Sequence, residues 1–525
     1  MSADAPAAGK RLVLVAMIFA VAMMFIDQTI VSLAIPELEK DLDLSSTGAQ
    51  WIINGYLLAL SALFAFGGKL ADVLGHRRMV LTGVIGFATA SALCGATPTG
   101  DFGEAWLIFF RIVQGAFGAV LFPAALAIVV SAFPLRERGR ALAVFFAVTG
   151  GLTAIGPLAG GYLTEWTWRA IFWVNVPVAI IAVLLTLKSK PAEDKHPVKL
   201  DYRGAVLISA AMGLIVLGLQ QSAVWGWIDV RTIGCVVAGV LVLVWFVFDQ
   251  LGKESPLIQL RIFAQRAFSA DNLVLGLMSA AFLPFFFFAS VYAQVALGES
   301  SSSAGLYLLV FFGGLAIAAQ WGGRMLDAGG AKRPVVMGCA ASAVGFWMWG
   351  TQLPDMSFDS QWYYVALAGA GIGLVLGPVS TDAVNRAPST SYGEVTGITQ
   401  TVRNFGASLG LAIMGSVFLS QNTSRIEDTL VAKGIPAARA DSVANAIASS
   451  GGGDQSSFAE QAGSNFDAIF AAVQHDVAES TKVVAYIMAG VMAAAFVVAR
   501  LWMTSGRVAD PLEEGTAAEE PAAAG

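Results

Sequence analysis

Long stretches without a charged residue dominate this 525-residue chain. Thirteen of them cover residues 44–68, 79–100, 112–135, 141–164, 170–187, 204–228, 232–248, 272–298, 300–323, 334–354, 360–381, 404–424 and 483–499. A helix needs about 20 predominantly apolar residues to cross the hydrocarbon core of a bilayer, so each stretch predicts one spanning helix. The apolar segment between Arg11 and Glu37, whose single charge is Asp27, predicts another. The sequence therefore predicts an all-α polytopic membrane protein with fourteen transmembrane helices.

The composition supports a membrane protein and excludes several other classes. Hydrophobic residues make up 56% of the chain and charged residues 13%, outside the usual balance of a soluble domain. Cys94, Cys235 and Cys339 all fall in predicted spans, where they act as small packing residues. The three histidines are dispersed and the net charge is -6, so we expect no metal, no cofactor and no nucleic acid. The chain has neither a nucleophile motif nor a nucleotide-binding loop, so we expect no enzymatic activity.

The distribution of Lys and Arg predicts the orientation of the chain in the membrane. If the N-terminus is cytoplasmic, alternate loops place 21 basic residues on the cytoplasmic face and three on the opposite face. Such a bias indicates that both termini are cytoplasmic and that the protein lies in the cytoplasmic membrane. The long segment from about 421 to 480 is predicted to be an extracellular loop, with a break at "SSGGGD".

An internal repeat relates the two ends of the chain. "GGKLADVLGHRRMVLTG" at 67–83 aligns without gaps to "GGRMLDAGGAKRPVVMG" at 322–338, an offset of 255, with seven of seventeen positions identical. The same offset relates "GAVLFP" at 118–123 to the segment that begins at Gly373. Helices 1 to 6 are thus predicted to repeat as helices 9 to 14, with helices 7 and 8 inserted between them. Two six-helix bundles of this kind enclose a cavity that opens to alternate sides when the bundles rock.

These features divide the chain into segments. The predicted segments are a cytoplasmic N-tail at 1–10, a six-helix bundle at 11–190, a linker at 191–202, two inserted helices at 203–251, a linker at 252–266, a second six-helix bundle at 267–504 and a disordered cytoplasmic C-tail at 505–525.

Four charged residues lie inside predicted spans: Asp27, Arg111, Asp382 and Arg403. A charge in hydrocarbon is costly, so each is expected to have a partner or to face an aqueous cavity. Asp27 lies roughly 24 Å from the cytoplasmic end of its helix and Arg111 roughly 9 Å from the outer end of its own, which predicts that they pair. Asp382 and Arg403 are predicted to pair in the second bundle. Asp27 is the first candidate for proton binding, Asp382 is the second, and Asp271, at the start of helix 9, is the third.

The segment "GKLADVLGHRR" carries the residues of a loop motif: Gly68, Asp72, Gly75, Arg77 and Arg78. Gly68 permits close helix approach, Asp72 can cap a neighbouring helix, Gly75 supports the turn, and the arginines hold the cytoplasmic face. This segment resembles the loop signature of the major facilitator superfamily between the second and third helices. "RIVQGAFGAVLFP" at 111–123 resembles the fourth-helix motif of the same superfamily.

A third motif lies on helix 5, in "GGLTAIGPLAGGYL". It resembles the antiporter motif of the superfamily, which implies export, and its residues are Gly151, Gly156, Pro157, Gly160 and Gly161. "FIDQTIVSLAIP" at 25–36 and "WTWRAIFWVNVP" at 166–177 resemble signatures of the fourteen-helix drug:proton antiporter-2 family, the EmrB/QacA-like transporters. The resemblance implies the major facilitator fold and the exchange of small molecules for protons.

The leading hypothesis is therefore a monomeric, proton-coupled exporter of lipophilic, cationic small molecules, in which Asp27 binds and releases the proton. Two alternatives stay open: a solute:proton uptake symporter on the same fold, and a lipid-handling or sensory membrane protein that resembles a transporter. For the buried charges, the alternative to proton coupling is a static ion pair that holds helices together.

Overall fold

The computed structural model describes residues 7–42, 44, 46–100, 102–190, 201–253, 256–299, 301–386, 392–433, 436 and 466–506. Throughout these ranges the regular structure is helical, as a bilayer requires of a chain that does not close into a barrel. The long helices are α1 Ala7–Leu42, α2 Ser46–Leu74, α3 His76–Gly95, α4 Gly103–Ala132, α5 Leu135–Trp166, α6 Asn175–Ser189, α7 Tyr202–Trp225, α8 Val230–Leu251, α9 Arg266–Val291, α10 Ser301–Gly329, α11 Lys332–Gln352, α12 Trp362–Asn385, α13 Tyr392–Ala432 and α14 Phe466–Trp502. A short helix, Ala170–Trp173, leads into α6, and a π-helical turn, Tyr292–Ala296, extends α9.

Twelve helices in the described ranges are long and apolar enough to cross a membrane. The two that are not among them are α5 and α11, although a charge-free window predicted each of them. Both are rich in Gly, Ala, Ser or Thr, and α5 also begins with the charged segment "LRERGR", so their mean hydropathy is low. The structure thus supports a polytopic helical membrane protein, but the predicted count of fourteen spans is not confirmed.

The helices of the two ends of the chain pack in the same pattern. Helix α1 contacts α4, α5 and α6, and α4 also contacts α2 and α3. Adding eight to each number gives contacts that the structure also contains: α9 with α12, α13 and α14, and α12 with α10 and α11. The repeat found in the sequence is therefore also a repeat of helix packing.

The two halves meet along two seams that the repeat relates to each other, α2 against α13 and α5 against α10. Glycines allow the backbones to touch at these seams. A Cβ atom at Gly397 of α13 would lie 2.7 Å from the Phe64 carbonyl oxygen of α2, and one at Gly323 of α10 would lie 2.7 Å from the Gly139 carbonyl oxygen of α5. Real Cβ contacts are not that short, so each seam depends on the missing side chain.

Helices α7 and α8 pack on each other, and α7 also packs on α2 and α13, at one of the seams. Their ends are joined by Asp201, whose carboxylate caps α7 at the Gly204 N–H and lies 2.7 Å from Lys253 Nζ. Burial raises the pKa of Asp201, but hydrogen bonds from Gln250, Lys253 and Gly204 outweigh it and hold that pKa below its ordinary value. This charged joint therefore stays formed near neutral pH.

The segment predicted to be a loop at about 421–480 is shorter in the structure. Helix α13 continues to Ala432 and α14 begins at Phe466, so helices occupy both ends of the predicted loop. They extend because apolar residues continue at helical spacing and become buried, as at Ile426 and Leu430. Thr429 Oγ1 donates to Asp476 Oδ2 at 2.7 Å across the pair. The "SSGGGD" break, most of the predicted linker at 191–202 and most of the predicted C-tail lie outside the described residues.

We predict that adding one methyl group to α13 by a Gly→Ala substitution is damaging at Gly410 and tolerated at Gly415. A Cβ at Gly410 would lie 2.1 Å from the Ala280 carbonyl oxygen of α9, whereas a Cβ at Gly415 meets nothing within 4 Å. Gly410→Ala should therefore destabilise the protein by about 1–3 kcal/mol through overpacking. Gly415→Ala, the matched control, should stabilise it by up to about 1 kcal/mol through helix propensity. Thermal unfolding of the purified variants in detergent measures both, and equal midpoints would contradict the packing of α9 on α13.

Candidate functional site

Asp27 and Arg111 form an ion pair inside the N-terminal half. Asp27 lies on α1 with 0% of its surface exposed, and Arg111 lies on α4 with 1% exposed. Arg111 Nη1 is 2.5 Å from Asp27 Oδ2. The two residues predicted to pair from their depth in the membrane therefore do so.

The carboxylate of Asp27 accepts hydrogen bonds at both oxygens. Oδ2 accepts from Arg111, and Oδ1 accepts from Gln114 Nε2 at 2.9 Å and from Asn175 Nδ2 at 3.2 Å. Arg111 in turn donates from Nε to the Ile52 carbonyl oxygen at 3.0 Å. Three donors suit the ionised form of a buried carboxylate.

An aromatic wall closes the pair off from solvent. The ring of Tyr56 lies 4.4 Å from the guanidinium carbon of Arg111, and the ring of Phe172 lies 5.9 Å from it. Both rings are buried. Cation–π contact and the low local dielectric strengthen the pair, and they also make it costly to remove one member alone.

The glycines of the antiporter motif lie on α5, beside α1. A Cβ atom at Gly156 would lie 1.9 Å from the Thr29 hydroxyl oxygen and 3.2 Å from the Ile26 carbonyl oxygen. Gly160 is also buried, and Gly151, Pro157 and Gly161 lie on the same helix. The motif thus brings the α5 backbone against the turn of α1 that carries Asp27.

The second predicted pair does not form. Asp382 on α12 pairs with Arg386, four residues later, at 2.8 Å, and Arg386 also lies 3.8 Å from Asp271 on α9. Arg403 on α13 instead donates to Gln400 at 2.7 Å and lies 5.8 Å from the ring of Phe146 on α5, across the seam between the halves. The prediction of an Asp382–Arg403 pair was wrong because one helical turn brings Arg386 to Asp382.

The loop motif forms a tight turn in both halves. Gly75 has φ 99° and its repeat partner Gly330 has φ 90°, a left-handed backbone that favours glycine. At this end of the molecule, here called the motif end, Asp72 Oδ2 accepts the Glu394 N–H in the first turn of α13 at 2.6 Å. Asp327 accepts the Gly139 N–H in the first turns of α5 at 3.2 Å. The two acceptors, Asp72 and Asp327, are 255 positions apart, and so are the two donors, Gly139 and Glu394. Each half therefore caps a helix of the other.

Glu394 adds a second layer to one of these caps. Its carboxylate lies 2.8 Å from Lys69 Nζ on α2 and accepts the Gln259 N–H from the linker that follows the inserted helices at 2.7 Å. On α3, His76 Nε2 lies 2.9 Å from Asp72 Oδ1. Gly68 is buried on α2, Arg77 is half-buried and Arg78 is exposed. The motif end is therefore closed by contacts among α2, α13 and the linker.

Sequence reasoning missed three of these groups: Gln114, Asn175 and Glu394. Gln114 and Asn175 lie within motifs that had been noticed, "RIVQGAFGAVLFP" and "WTWRAIFWVNVP", and each is a polar residue in an apolar span. Glu394 is the acid at which the candidate membrane span of α13 begins, ten residues before the charge-free window that predicted this helix. A search for amides as well as charges in the spans would have found the first two.

An apolar cavity of about 980 Å³ lies away from these charges. Helices α2, α7, α8 and α13 line it, with Met212, Ile215, Val240 and Phe405 among its residues. It contacts neither Asp27 nor the acids of α9 and α12. It therefore marks the seam that the inserted helices cover and does not mark the buried charges.

Comparisons with known proteins agree with this architecture. A family model described as Major Facilitator Superfamily matches residues 17–411. The tetracenomycin C resistance and export protein of Streptomyces glaucescens is 34% identical over 428 residues, which cover 80% of this chain and 78% of that protein. The puromycin resistance protein pur8 of Streptomyces alboniger is 32% identical over 426 residues, which cover 79% of this chain and 83% of that protein.

A solved structure shows the same fold. The crystal structure of the human organic anion transporter MFSD10 matches with a TM-score of 0.61 at 14% identity, covering 94% of this chain and all of the other. Identity at that level shows the arrangement of helices alone.

We predict that Asp27 and Arg111 depend on each other energetically. Arg111→Gln should destabilise the protein by about 3–5 kcal/mol, because it leaves a buried carboxylate without its counter-charge. Asp27→Asn should also be destabilising, since it leaves Arg111 unpaired. The double variant Asp27→Asn/Arg111→Gln should be more stable than either single variant in thermal unfolding. A double variant with additive losses would show that the two charges do not interact.

We also predict that Glu394 keeps the motif end closed. Spin labels at Arg78→Cys and Arg333→Cys, both exposed and one in each half, report the distance across this end in a cysteine-free background. Glu394→Gln should shift the distance distribution measured by double electron–electron resonance to longer values, because it weakens the bond to Lys69. Asp428→Asn, an exposed acid on the same helix, is the control. An unchanged distribution in Glu394→Gln would remove Glu394 from the closure.

Proposed function

The chain belongs to the major facilitator superfamily, and we propose that it exports lipophilic small molecules in exchange for protons by alternating access. The direction rests on the relatives, whose names describe resistance and export. The motif of α5 supports the same direction because it resembles the antiporter motif, which implies export, and its Gly156 lies against the helix that carries Asp27. An uptake symporter could use the same fold, so the fold carries no argument on direction.

We propose that all fourteen long helices cross the cytoplasmic membrane, with both termini in the cytoplasm and the motif end on that side. The bias of Lys and Arg supports this orientation. The repeated packing supports the division into two six-helix bundles, α1–α6 and α9–α14, with α7 and α8 inserted. Helices α5 and α11 would cross despite their low hydropathy because neighbouring helices cover them. We propose a monomer as the transporting unit, because one chain supplies both halves that would rock against each other.

The observation that carries proton coupling is the burial of Asp27 among three donors that come from two other helices. Helix α5 packs on α10 of the other half and on α1, so rocking the halves would change the surroundings of Asp27 and its distances to Arg111, Gln114 and Asn175. When these donors withdraw, the carboxylate must take a proton or meet water, because its charge is no longer compensated. Asp27 would thus bind a proton in one state and lose it in the other. The same contacts would also suit a static ion pair that holds the helices together. The two roles predict different results when Asp27 is replaced by an uncharged residue.

The substrate class follows less directly from the site. We propose a lipophilic cation, since the acids of α9 and α12 outnumber the one arginine beside them. The aromatic run "FLPFFFF" at 282–288 of α9 offers few rings to a substrate in this state, because Phe282, Phe285 and Phe288 are buried in the core of the second half. Arg403 lies at the seam opposite Phe146, so it places a positive charge between the two halves.

The test of this function is a resistance screen in an efflux-deficient host that expresses the chain. We expect resistance to lipophilic cationic dyes and antibiotics, and a protonophore should abolish their export. Asp27→Asn and Asp27→Glu should lower export to the level of the empty vector, whereas Glu37→Gln, an exposed acid on the same helix, should not. Proton-driven export retained in both Asp27 variants would leave the pair as a static clamp. Resistance that a protonophore does not affect would refute the exchange of protons.

A further inference from the structure

Asp271 and Asp382 contrast with Asp27 in the number of donors that reach them. Asp271 lies on α9 with 1% of its surface exposed, and Asp382 lies on α12 with 3% exposed. Arg386 is the basic residue that contacts both of them. Two buried carboxyl groups therefore share one cation, whereas Asp27 accepts hydrogen bonds from one cation and two amides.

The hydrogen bonds within this group are unequal. Arg386 donates from Nε to Asp382 Oδ2 at 2.8 Å, and its Nη2 lies 2.8 Å from the same oxygen. The same guanidinium is 3.8 Å from Asp271 Oδ2, beyond hydrogen-bonding distance. Among the described residues, neither oxygen of Asp271 has a hydrogen-bond donor. Both carboxyl groups lie against the same guanidinium, at 2.8 Å for Asp382 and 3.8 Å for Asp271, so the two acids are close neighbours.

The charges of this group do not balance if both acids are ionised. Arg386 forms the ion pair with Asp271, and Asp382 lies against the same guanidinium. Helices α10, α13 and α14 also pack on α9, and no ion pair joins their described residues to Asp271. Two carboxylates and one guanidinium leave a net negative charge in a membrane span, together with two unsatisfied oxygens. A single proton neutralises the excess charge and supplies one of the missing hydrogen bonds.

We infer that Asp271 and Asp382 hold one proton between them in this state, as a carboxyl group that donates to a carboxylate. This proton-binding site lies in the second half and is distinct from Asp27. In the state that the structure describes, the α9–α12 acids carry this proton, and Asp27 accepts from its three donors.

The internal repeat gives this site its place in the molecule. Subtracting the offset of 255 from Asp271 and Asp382 gives Ala16 and Ala127, on α1 and α4, the helices that carry Asp27 and Arg111. In each half the buried charges thus lie on the first and fourth helices, α1 and α4 or α9 and α12, but toward opposite ends of the molecule. Asp271 lies five residues into α9, roughly 8 Å from its start at the motif end, whereas Asp27 lies near the other side.

The role of this proton in export rests on the proposed function. With the motif end closed, the proton is kept from the cytoplasm by the contacts of Asp72, Glu394 and Asp327. When that end opens, water reaches Asp271, the O–H bond breaks and its electron pair stays on the carboxylate. Water carries the proton away, and hydration in the open state compensates the second negative charge. The site therefore releases protons on the side from which substrate is collected.

Infrared spectroscopy tests the site directly, because a protonated carboxyl group has a carbonyl stretch that a carboxylate lacks. The sample is the full-length protein, purified in nanodiscs at neutral pH, with isotope-labelled aspartate to assign the band. We expect an aspartic acid band in the wild type that is lost in Asp271→Asn and in Asp382→Asn. The same band should persist in Asp27→Asn and in Asp359→Asn, an exposed acid outside the predicted spans.

Each outcome decides the matter. Absence of the band in the wild type, or its persistence in both Asp271→Asn and Asp382→Asn, would overturn the inference. Loss in Asp271→Asn alone would place the proton on Asp271 and end the idea of sharing. If an asparagine variant does not fold, Asp271→Glu should move the band to the frequency of glutamic acid, and an unmoved band would count against the site.

The band also separates this inference from the proposed function. Export that a protonophore does not affect, with the band intact, would refute proton exchange and leave the shared proton in place. Protonophore-sensitive export without the band would leave Asp27 as the proton carrier and remove the second site.

Discussion

The Asp27 carboxylate is the point at which most of the N-terminal half meets. It lies on α1, accepts from Arg111 and Gln114 of α4, and accepts from Asn175 of α6. Arg111 extends the network to a backbone carbonyl of α2, and Asn175 extends it to α3 through Ser91 at 2.9 Å. Five of the six helices in this half are thereby joined through one buried anion. Without solvent to take over these bonds, the helices can move apart only if the carboxylate changes its charge or its partners.

Close backbone contact complements this polar network. Gly156 brings α5 against α1 beside Asp27, and Gly397 and Gly323 bring the halves together at the two seams. At such contacts neither helix can shift far without a clash or a gap, because a packed interior is not continuously deformable. The glycine motifs and the buried charges are therefore parts of one arrangement, since α5 contacts both α1, which carries Asp27, and α10 of the other half.

The repeat relates the two halves in packing but not in charge. Asp72 and Asp327 cap helices across the molecule at positions that obey the same offset. Asp27 corresponds to Phe282, and Asp271 corresponds to Ala16. Symmetric packing supplies two halves that can rock against each other, and asymmetric charge places different chemistry at the two depths. A duplicated fold thus holds an ion pair toward one side of the membrane and an acid pair toward the other.

Much of the architecture follows from the sequence, since a window of apolar residues without charge has few alternatives to a helix in a bilayer. Depth along two antiparallel helices was enough to pair Asp27 with Arg111, and the repeat was enough to place Gly75 and Gly330 in equivalent turns. Hydropathy was less informative at α5 and α11, where small residues lower the signal while tertiary contacts bury the helix.

The sequence by itself determined which residues are charged, how deep they lie and which segments repeat. Only the tertiary structure decided which partners they meet: Arg386 for Asp382, Gln114 and Asn175 for Asp27, and Lys69 for Glu394. The sequence determines the position of a side chain along its helix axis. The direction in which the side chain points depends on the rotation of the helix, and its partners depend on which helices pack beside it. Those depend on packing between segments hundreds of residues apart, such as Lys69 and Glu394, and no local pattern in the chain records them.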